Sequence, residues 1–371
     1  MYRSLLILTI FYFIFILPVF SQVNELKVMS YNVLSSTSIS DNVNVIEQSN
    51  ADVIGLQEGF LKSESIANAL GFYHYSNPGW SEAILSRYPI TQTNWWGVQI
   101  QLSLNQYIYM FNAHLAAYPY QPYDIRDGYV SSANQAISEA ESARGLEINE
   151  CLSEMQFYVQ NGETVFLTGD FNEPSHLDWT ANAAANGLHF GWEVEWPTSK
   201  KCVNLGLNDA YRTYFPDEVL FTGETWTPWF SSDEVYDRID LVYFSGNDVS
   251  VTNVEIIGPD TASTFFITPY ESDHRAVLAT FNLLPNTHLE EEELFLDVYP
   301  NPFSNQISLD FLSENNFDVL IYNSQGKKVR EIKGDNNERT IISTSSLSKG
   351  VYLLCLQNNN VVLARKRIIK I

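Results

Sequence analysis

A short apolar run that ends at a glycine constrains the fold of this chain more than any other feature. Thr164–Leu167 is typical of a buried strand, and Gly169 interrupts it directly before Asp170 and Asn172. Residues two apart in an extended chain point to the same side, so these two side chains should share one face at the strand end. A carboxylate beside an amide suits a water, a metal ion or a phosphate oxygen. The alternative is an ordinary polar turn.

The rest of the chain repeats this arrangement. Strands are predicted over Glu25–Leu34, Asp52–Glu58, Ala83–Ile90, Tyr107–Leu115, Asp237–Phe244 and Ala276–Leu283. Ser131–Gln160 is the one long helical pattern, with apolar residues recurring every three or four positions. Strands interleaved with helical stretches indicate an α/β or mixed architecture and exclude a helix bundle. The polar residues near the strand ends are Asn32, Glu58, His114, Asp170, Asn172, Asp240, Asp273 and His274.

These polar residues define a chemistry. Carboxylates and amides without thiols form a hard oxygen site, which suits magnesium, calcium or manganese and is poor for zinc. Two histidines beside such a metal suit a base and an acid in phosphoryl transfer. Cys151, Cys202 and Cys355 have no metal-ligand spacing, and Cys151 and Cys202 are the only pair within one predicted domain.

Composition and the N-terminal segment restrict partners and location. The 371 residues suffice for two domains, and 21 basic against 44 acidic residues give a net charge of −23. Such a surface repels nucleic acid and anionic membranes at long range, so a phosphate ligand needs local help, most simply a divalent cation. Acidity is also an ordinary solubility device of secreted proteins. Met1–Ser21, with one early arginine and an apolar run, predicts a cleaved signal peptide, and no other stretch could span a bilayer.

A change in composition marks a second domain. Pro285–Leu296 contains the acidic run Glu290–Glu293 and is predicted to be a linker. Beyond it, short strands such as Val319–Tyr322 and Val351–Leu356 alternate with turn residues, and no long helical pattern follows. The sequence therefore predicts a small all-β sandwich for residues 297–371.

The strand-end motifs, taken together, resemble a known family. SYNV, LQE, AILSRYPI, NAHL, GDFNEPS, TW, DRIDLVYF and SDHRAV follow the order found in the endonuclease/exonuclease/phosphatase superfamily of metal-dependent phosphoesterases, from about Glu25 to Leu283. The resemblance implies a four-layer sandwich of two packed mixed β-sheets flanked by helices, with the site at the shared edge of the sheets. Residues 22–284 are accordingly assigned to the catalytic domain.

The resemblance also implies a role for each matching residue. Glu58, with help from Asn32 and Asp273, would hold a divalent cation, Mg²⁺ first and Mn²⁺ or Ca²⁺ as alternatives. Asp170 and Asn172 would orient the attacking water and the phosphate. His274, steadied by Asp240, would be the base or the phosphate-polarising imidazole. His114 matches a second histidine of deoxyribonuclease-like and sphingomyelinase-like members, which protonates the leaving oxygen.

Two positions depart from the family pattern. Leu34 stands where some members carry an acidic residue, which argues for a simpler metal site. Glu82 stands directly before AILSRYPI, where many members have a neutral residue. A carboxylate there could orient His114 and raise its pKa, and the alternative is a solvated charge at the rim.

Further residues are candidates for substrate contact. Ala116–Tyr129 leaves the strand directly after His114, and Tyr120, Tyr123 and Arg126 in it suit a wall that contacts a phosphate-bearing substrate. The alternative is that the tyrosines seal this segment onto the domain. Arg144 lies in the apolar stripe of the long helix, so it should be paired inside, with a carboxylate or with the substrate phosphate.

The C-terminal domain resembles a type IX secretion sorting domain over about Leu296–Ile371. Val298–Phe303 (VYPNPF) opens it, Lys349–Tyr352 (KGVY) precedes the last hairpin, and the chain ends on the basic segment Arg365–Ile371. The resemblance implies recognition by the type IX secretion machinery and a secreted or surface-attached protein that passes through the periplasm.

The function expected from these features is hydrolysis of phosphodiester bonds by a secreted, monomeric, metal-dependent enzyme, with nucleic acid as the default substrate. One alternative is a sphingomyelinase-like lipid or small-molecule phosphodiesterase or phosphatase, with Trp95 and Trp96 as candidates for membrane contact. Another is a catalytically silent binding protein on the same fold, which would have no physical need for both histidines.

Overall fold

The structure is a computed structural model that describes residues 22–284, 296–311, 318–323, 327–333, 339–358 and 361–371. The described residues fall into two compact units, divided between Pro285 and Asn286. The predicted signal peptide Met1–Ser21 and the acidic run Glu290–Glu293 of the predicted linker lie outside the described residues.

The first unit is built on two mixed sheets. Its strands are β1 (Glu25–Asn32), β2 (Val53–Gln57), β3 (Tyr73–Tyr75), β4 (Ala83–Ser86), β5 (Ile90–Thr93), β6 (Gly97–Ser103), β7 (Gln106–His114), β8 (Val165–Asp170), β9 (Asn208–Asp209), β10 (Asp240–Ser245), β11 (Val249–Gly258), β12 (Phe265–Phe266) and β13 (Ala276–Leu283). Within residues 22–284, one sheet has the strand order β12-β11-β13-β1-β2-β4-β3, and the other has the order β5-β6-β7-β8-β10-β9.

Seven α-helices accompany the two sheets within residues 22–284. They are α1 (Ile39–Ser49), α2 (Ser63–Leu70), α3 (Gln121–Arg126), α4 (Ala133–Gln160), α5 (Ala181–Ala185), α6 (Pro197–Leu205) and α7 (Ala210–Tyr214). The two longest begin at serine caps: the Ser38 hydroxyl accepts a hydrogen bond from the backbone of Asp41, and that of Ser132 accepts one from Gln135. No helix among the described residues is long and apolar enough to cross a membrane.

Three apolar clusters hold these layers together. The cluster between the sheets joins side chains such as Val28 and Val53 of one sheet to Met110 and Phe166 of the other. A second cluster packs the outer face of the first sheet against α1 and α2, and a third packs the second sheet against α4 and α6. The order helix, sheet, sheet, helix confirms the predicted four-layer sandwich.

One glycine shows how closely the sheets approach. A Cβ on Gly55 of β2 would lie 1.9 Å from Oγ1 of Thr168 in the other sheet and 2.4 Å from Oδ1 of Asn112. No side chain fits at that separation, so the close packing of the two sheets at this point requires glycine.

The second unit is all-β in its described residues. Its strands are β14 (Leu296–Tyr299), β15 (Gln306–Phe311), β16 (Asp318–Asn323), β17 (Lys328–Lys333), β18 (Arg339–Ser343), β19 (Gly350–Asn358) and β20 (Val361–Lys370). Among the residues described, they form one sheet ordered β14-β15-β18 and another ordered β17-β16-β19-β20. Buried side chains of both sheets, such as Ile307 and Leu354, share one apolar core. The predicted all-β class of this region is therefore confirmed.

Candidate active site

Strand register brings the polar strand ends to one edge of the two sheets. His114 and Asp170 end the neighbouring parallel strands β7 and β8 and pair directly with each other. Asp240 begins the antiparallel strand β10 and pairs with Asp170 from the other side. In the first sheet, Asn32 ends β1, and its side chain donates a hydrogen bond to Oδ2 of Asp170 over 3.0 Å. Asp170 is therefore the point at which both sheets meet.

A cavity of about 230 Å³ opens at this edge. Its walls combine charged groups with aromatic rings. The lining residues are Glu58, His114, Ala117, Tyr118, Tyr120, Tyr123, Asp170, Asn172, Trp226, Ile239, Asp273 and His274.

His274 is held between two carboxylates. Its Nδ1 lies 2.9 Å from Oδ2 of Asp240, and its Nε2 lies 3.7 Å from Oδ2 of Asp170. Burial alone would lower the pKa of His274, but the charges of Asp240 and Asp170 raise it to about 10. The imidazole is therefore protonated at neutral pH and presents Nε2–H to the cavity. The ring of Trp226, centred 4.8 Å away, packs against it.

His114 faces the same carboxylate oxygen. Its Nε2 lies 3.6 Å from Oδ2 of Asp170, and its Nδ1 lies 3.2 Å from the Ser81 hydroxyl. That hydroxyl donates its single hydrogen to Oε2 of Glu82 over 3.0 Å, so it must accept a hydrogen bond from Nδ1–H of His114. Glu82 does not line the cavity, and it reaches His114 only through Ser81. The expectation that Glu82 orients His114 therefore depends on this serine bridge.

Asn32 is oriented as a donor. Its amide NH₂ lies 3.3 Å from Oε1 of Glu58 and 3.0 Å from Asp170, and its amide oxygen accepts a hydrogen bond from the backbone of Leu34. To bind a metal ion, Asn32 would have to offer this amide oxygen, which is already bonded to Leu34. In this structure Asn32 therefore supports the two carboxylates rather than facing a cation with its own oxygen.

Three carboxylates of the cavity lie near one another. Burial raises the pKa of Asp273, His274 lowers it in part, and Glu58 and Asp170 raise it further. Oδ1 of Asp273 is buried and has no hydrogen-bond partner among the described residues. An orphaned carboxylate oxygen facing like charges is the environment that a hard divalent cation relieves, so Glu58 and Asp273 fit the metal implied for this site.

A second group could also hold a cation. Asp170, Asp240 and His274 each bring one potential ligand atom within 4.8 Å of the others. A protonated His274 already supplies the positive charge there, because Asp170 and Asp240 are what raise its pKa. Among the described residues neither Glu58 nor Asp273 forms an ion pair, and Oδ1 of Asp273 has no hydrogen-bond partner, so this side of the cavity is the better metal position.

Asn172 reaches the cavity by a route the sequence did not indicate. The strand ends at Asp170, and Asn172 adopts a left-handed backbone conformation with φ of 47°. Its backbone N–H donates to Oδ1 of Asp170, and its side-chain amide donates to the carbonyl of Leu115, each over about 3 Å. The expected shared face of an extended strand is therefore wrong, although both residues line the same cavity.

The segment after His114 forms the aromatic side of the cavity. The Tyr120 hydroxyl donates to Oδ2 of Asp237 over 2.7 Å, and the Tyr123 hydroxyl donates to Oε1 of Glu234 over 2.5 Å. These bonds anchor the two rings from behind. Arg126 does not line the cavity; its guanidinium stacks over Tyr123 at 4.7 Å and binds Asp127.

Arg144, a candidate for substrate contact, is paired inside the protein instead. It is wholly buried, and its guanidinium donates to the carbonyls of Ala116 and Pro119 and to Oε1 of Gln121. Its NH1 lies 3.8 Å from Glu173, and the residue does not line the cavity. The alternative of internal pairing is the one the structure contains, since the guanidinium has no open face toward a substrate.

Several contacts were not foreseen from the sequence. Ser81 stands directly before Glu82, but a lone serine carries no signal of a bridge to a histidine 33 residues away. Thr225 accepts hydrogen bonds from the backbones of Ile239 and Asp240 and so fixes the start of β10.

Trp96, one of the two tryptophans considered for membrane contact, is 8% exposed, and its ring packs 4.9 Å from that of Trp80.

Two family models match this chain. The model of the Endonuclease/Exonuclease/phosphatase family matches residues 29–274, and that of the secretion system C-terminal sorting domain matches residues 297–370. An uncharacterized protein of Caenorhabditis elegans is 28% identical over 298 residues, which cover 71% of this chain and 94% of the relative.

Solved structures of similar proteins were also found. An endonuclease/exonuclease/phosphatase from Beutenbergia cavernae has 14% identity and a TM-score of 0.46, with 94% of this chain and 100% of that chain covered. Truncated TDP2 of Caenorhabditis elegans has 18% identity and a TM-score of 0.46, with 70% and 97% covered. The family model spans well over half of the sequence, so the chain belongs to the Endonuclease/Exonuclease/phosphatase family and carries a secretion-system sorting domain at its C-terminal side.

Proposed function

We propose that this protein is a secreted phosphoesterase that depends on a divalent metal and hydrolyses phosphodiester bonds. The observation that carries the proposal is the convergence of two imidazoles on one carboxylate oxygen. Nε2 of His114 and Nε2 of His274 lie 3.6 Å and 3.7 Å from Oδ2 of Asp170, at the floor of an open cavity. Such an arrangement places an acid, a charge-stabilising group and a carboxylate around one reacting phosphorus.

The two histidines have different environments, and we assign them different tasks. His274 is buried and protonated, so its Nε2–H suits polarisation of a phosphate oxygen rather than abstraction of a proton. Asp170, between the imidazoles, would then orient the attacking water, with Asn172 beside it. Nδ1–H of His114 is committed to Ser81, so the ring would have to carry a second proton on Nε2, and this is the proton that it would deliver to the leaving oxygen.

Glu58 and Asp273 would hold the divalent cation, Mg²⁺ first and Mn²⁺ or Ca²⁺ as alternatives. When bound, the cation would neutralise charge that develops on the phosphate oxygens. Asn32 supports this position because its NH₂ contacts both Glu58 and Asp170. These contacts hold the ligand carboxylate in place without adding a negative charge.

We further propose a division of the chain into a signal peptide (1–21), a catalytic domain (22–284), a linker (285–296) and a sorting domain (297–371). The sorting-domain match implies secretion or attachment to the cell surface. Export through the periplasm by the type IX machinery and release of a monomeric enzyme are the corresponding parts of the proposal.

Nucleic acid is the default substrate, and a substrate panel tests it. The full-length protein is assayed with plasmid, RNA, bis-p-nitrophenyl phosphate, p-nitrophenyl phosphate and sphingomyelin, each with Mg²⁺, Mn²⁺, Ca²⁺ or EDTA. We expect turnover of nucleic acid and of the diester, loss of both in EDTA, and no activity in His274→Ala. Turnover that persists in EDTA would contradict the metal role, and inactivity on every substrate would favour a silent binding protein.

A lipid phosphodiesterase is the second candidate, because of an exposed aromatic pair near the cavity. Trp229 is 54% exposed and Phe230 is 90% exposed, three and four residues after Trp226 of the cavity wall. Exposed aromatic side chains of this kind suit a lipid interface. Sphingomyelin turnover that falls in Trp229→Ala, with unchanged hydrolysis of bis-p-nitrophenyl phosphate, would favour this candidate over a nuclease.

A further inference from the structure

Lys62 lies behind the candidate metal position and binds a single loop. Its Nζ lies 2.7 Å from the carbonyl oxygen of Leu34 and 2.7 Å from the Thr37 hydroxyl. The carbonyls of Val33 and Thr37 lie at 3.4 Å. Among the described residues no carboxylate lies within ion-pair distance of Lys62, so its direct contacts are the carbonyls and the hydroxyl of this loop, while the charges of Glu58, Glu271 and Asp41 act on it from farther away.

That loop holds the carboxylate assigned to the metal. The carbonyl of Leu34 and the N–H of Ser35 belong to the same peptide group. Lys62 binds the carbonyl end, and the N–H end donates to Oε2 of Glu58 over 3.0 Å. One peptide earlier, the N–H of Leu34 donates to the amide oxygen of Asn32 over 3.0 Å.

The backbone of this loop needs an external restraint. Leu34 has φ of 49°, a left-handed conformation that costs a non-glycine residue free energy. The ammonium group of Lys62 binds its carbonyl oxygen, and the Thr37 hydroxyl lies 2.5 Å from the carbonyl oxygen of Val33 and 2.9 Å from that of Leu34. These contacts stabilise a conformation in which two successive N–H groups point at Asn32 and Glu58.

We propose that Lys62 is a positioning residue for the metal site. It fixes the peptide between Leu34 and Ser35, and through that peptide it holds the Glu58 carboxylate and the Asn32 amide in their binding orientation. An ammonium on the carbonyl end also polarises the peptide and so strengthens its N–H bond to Glu58. This inference rests on the proposed function, because it gives Glu58 a metal to bind.

The restraint of this peptide by Lys62 matters because Leu34 stands where an acidic side chain could otherwise bind the cation. Since no acidic side chain follows Asn32 in this loop, the position of Glu58 depends on the backbone amide of Ser35 and the side-chain amide of Asn32. Partners that orient a metal ligand in this way typically contribute about 10–100-fold to metal affinity. Loss of Lys62 should therefore appear in metal binding before it appears in folding.

The experiment is calorimetric titration of Mn²⁺ into the full-length protein without substrate. Lys62→Met keeps the length of the side chain but removes its charge and donors, and we expect Mn²⁺ affinity to fall about tenfold or more. Lys62→Arg should bind within a few-fold of wild type. Lys201→Met, which removes a lysine paired with Glu141 far along the chain, is the matched control and should bind Mn²⁺ normally.

The outcomes separate this inference from the proposed function. Equal Mn²⁺ affinity in Lys62→Met and wild type would overturn the role of Lys62 alone. Failure of wild type to bind Mn²⁺ would overturn the proposed metal site and this inference with it. If Lys62→Met does not fold, Thr37→Val removes one partner of Nζ and should weaken Mn²⁺ binding in the same direction; unchanged affinity there contradicts the proposal.

Discussion

Nδ1 of His274 lies 2.9 Å from Oδ2 of Asp240, and both side chains are buried. The backbone N–H of Asp240 donates to the Thr225 hydroxyl, so the carboxylate itself is fixed by the chain that enters β10. Because Asp240 receives Nδ1–H, the other ring nitrogen of His274 is the one presented to the cavity. The pair therefore sets both the charge and the direction of the imidazole.

This pairing predicts the effect of Asp240→Asn. The substitution keeps the shape of the side chain but removes the nearest negative charge, so the pKa of His274 should fall and its protonated form should be lost at neutral pH. We expect kcat for bis-p-nitrophenyl phosphate to fall about 100-fold or more. Asp52→Asn, which breaks the partly exposed ion pair with Arg87, should leave kcat unchanged. Near-normal activity of Asp240→Asn would contradict the role assigned to His274.

A second prediction concerns the bridge from Glu82 to His114. Ser81→Ala removes the hydroxyl that joins them and should lower kcat about tenfold, because the ring loses the partner that fixes its tautomer. The loss should be larger for a substrate with a poor leaving group, such as plasmid DNA, than for bis-p-nitrophenyl phosphate. Ser76→Ala, on the loop before Ser81, is the control. Equal losses on both substrates would indicate that Ser81 supports folding of the site instead.

The sequence predicted the elements whose patterns are local. β13 has the predicted bounds Ala276–Leu283, which its apolar run defines, and α4 begins two residues after its predicted start, directly after the cap Ser132. The sequence patterns predict no helix or strand between Pro174 and Thr227, yet this region contains the helix Pro197–Leu205. Its signals are a proline at the first turn and Gly206 at the left-handed cap, while its apolar spacing is weak.

The sequence predicted the site residues that lie at strand ends, but not the contacts between them and distant segments. Strand ends place His114, Asp170 and Asp240 at one edge, which the motifs indicated in advance. The serine bridge to His114 and the loop restraint by Lys62 depend on tertiary contacts between segments, and no periodicity encodes them. The partner of Arg144 also depends on tertiary contacts, so the sequence could not decide between a carboxylate and the substrate phosphate.

Metal dependence gives a third prediction. Asp273→Asn keeps the size of the side chain but removes one of the three neighbouring carboxylate charges, so the Mn²⁺ concentration for half-maximal activity should rise at least tenfold. Glu58→Gln should act in the same direction. Glu64→Gln, an exposed residue of α2, serves as the control. Unchanged Mn²⁺ titrations of both site variants would remove these residues from the metal position.

A fourth prediction follows from the buried carboxyl of Glu173. Burial raises its pKa to about 7, and Arg144 and the hydrogen bonds from Thr198 lower it only in part. Between about pH 4.5 and pH 7 the folded protein therefore keeps a proton that the unfolded chain releases. The free energy of unfolding should fall as pH rises through this window, by up to about 3 kcal/mol.

Glu173→Gln cannot titrate, so it isolates this contribution. Urea denaturation at pH 5 and at pH 8 should show the variant gaining stability relative to wild type at the higher pH. Glu163→Gln, near the start of β8, provides the reference for a carboxyl in an ordinary position. A difference between Glu173→Gln and wild type that does not change with pH would contradict the raised pKa.

The last prediction concerns the wall that should set substrate preference. Tyr118 lines the cavity and is 75% exposed, whereas Tyr120 and Tyr123 are anchored from behind by carboxylates. Truncating either anchored tyrosine would leave a buried or half-buried carboxylate without its donor, so a loss of activity there would be ambiguous. Tyr118 avoids this difficulty, since its exposed ring contributes little to packing.

Tyr118→Ala should lower kcat/KM for nucleic acid by about fivefold to 100-fold, because stacking of one base on an aromatic ring is worth about 1–3 kcal/mol. It should leave bis-p-nitrophenyl phosphate nearly unaffected, since that small ester needs only the metal position and the histidines. Tyr129→Ala is the matched control: Tyr129 is also 75% exposed in the same segment but does not line the cavity. Equal losses of kcat/KM in Tyr118→Ala and Tyr129→Ala would show that the loss does not depend on a place at the cavity. No loss in Tyr118→Ala on any polymer would exclude Tyr118 from substrate contact.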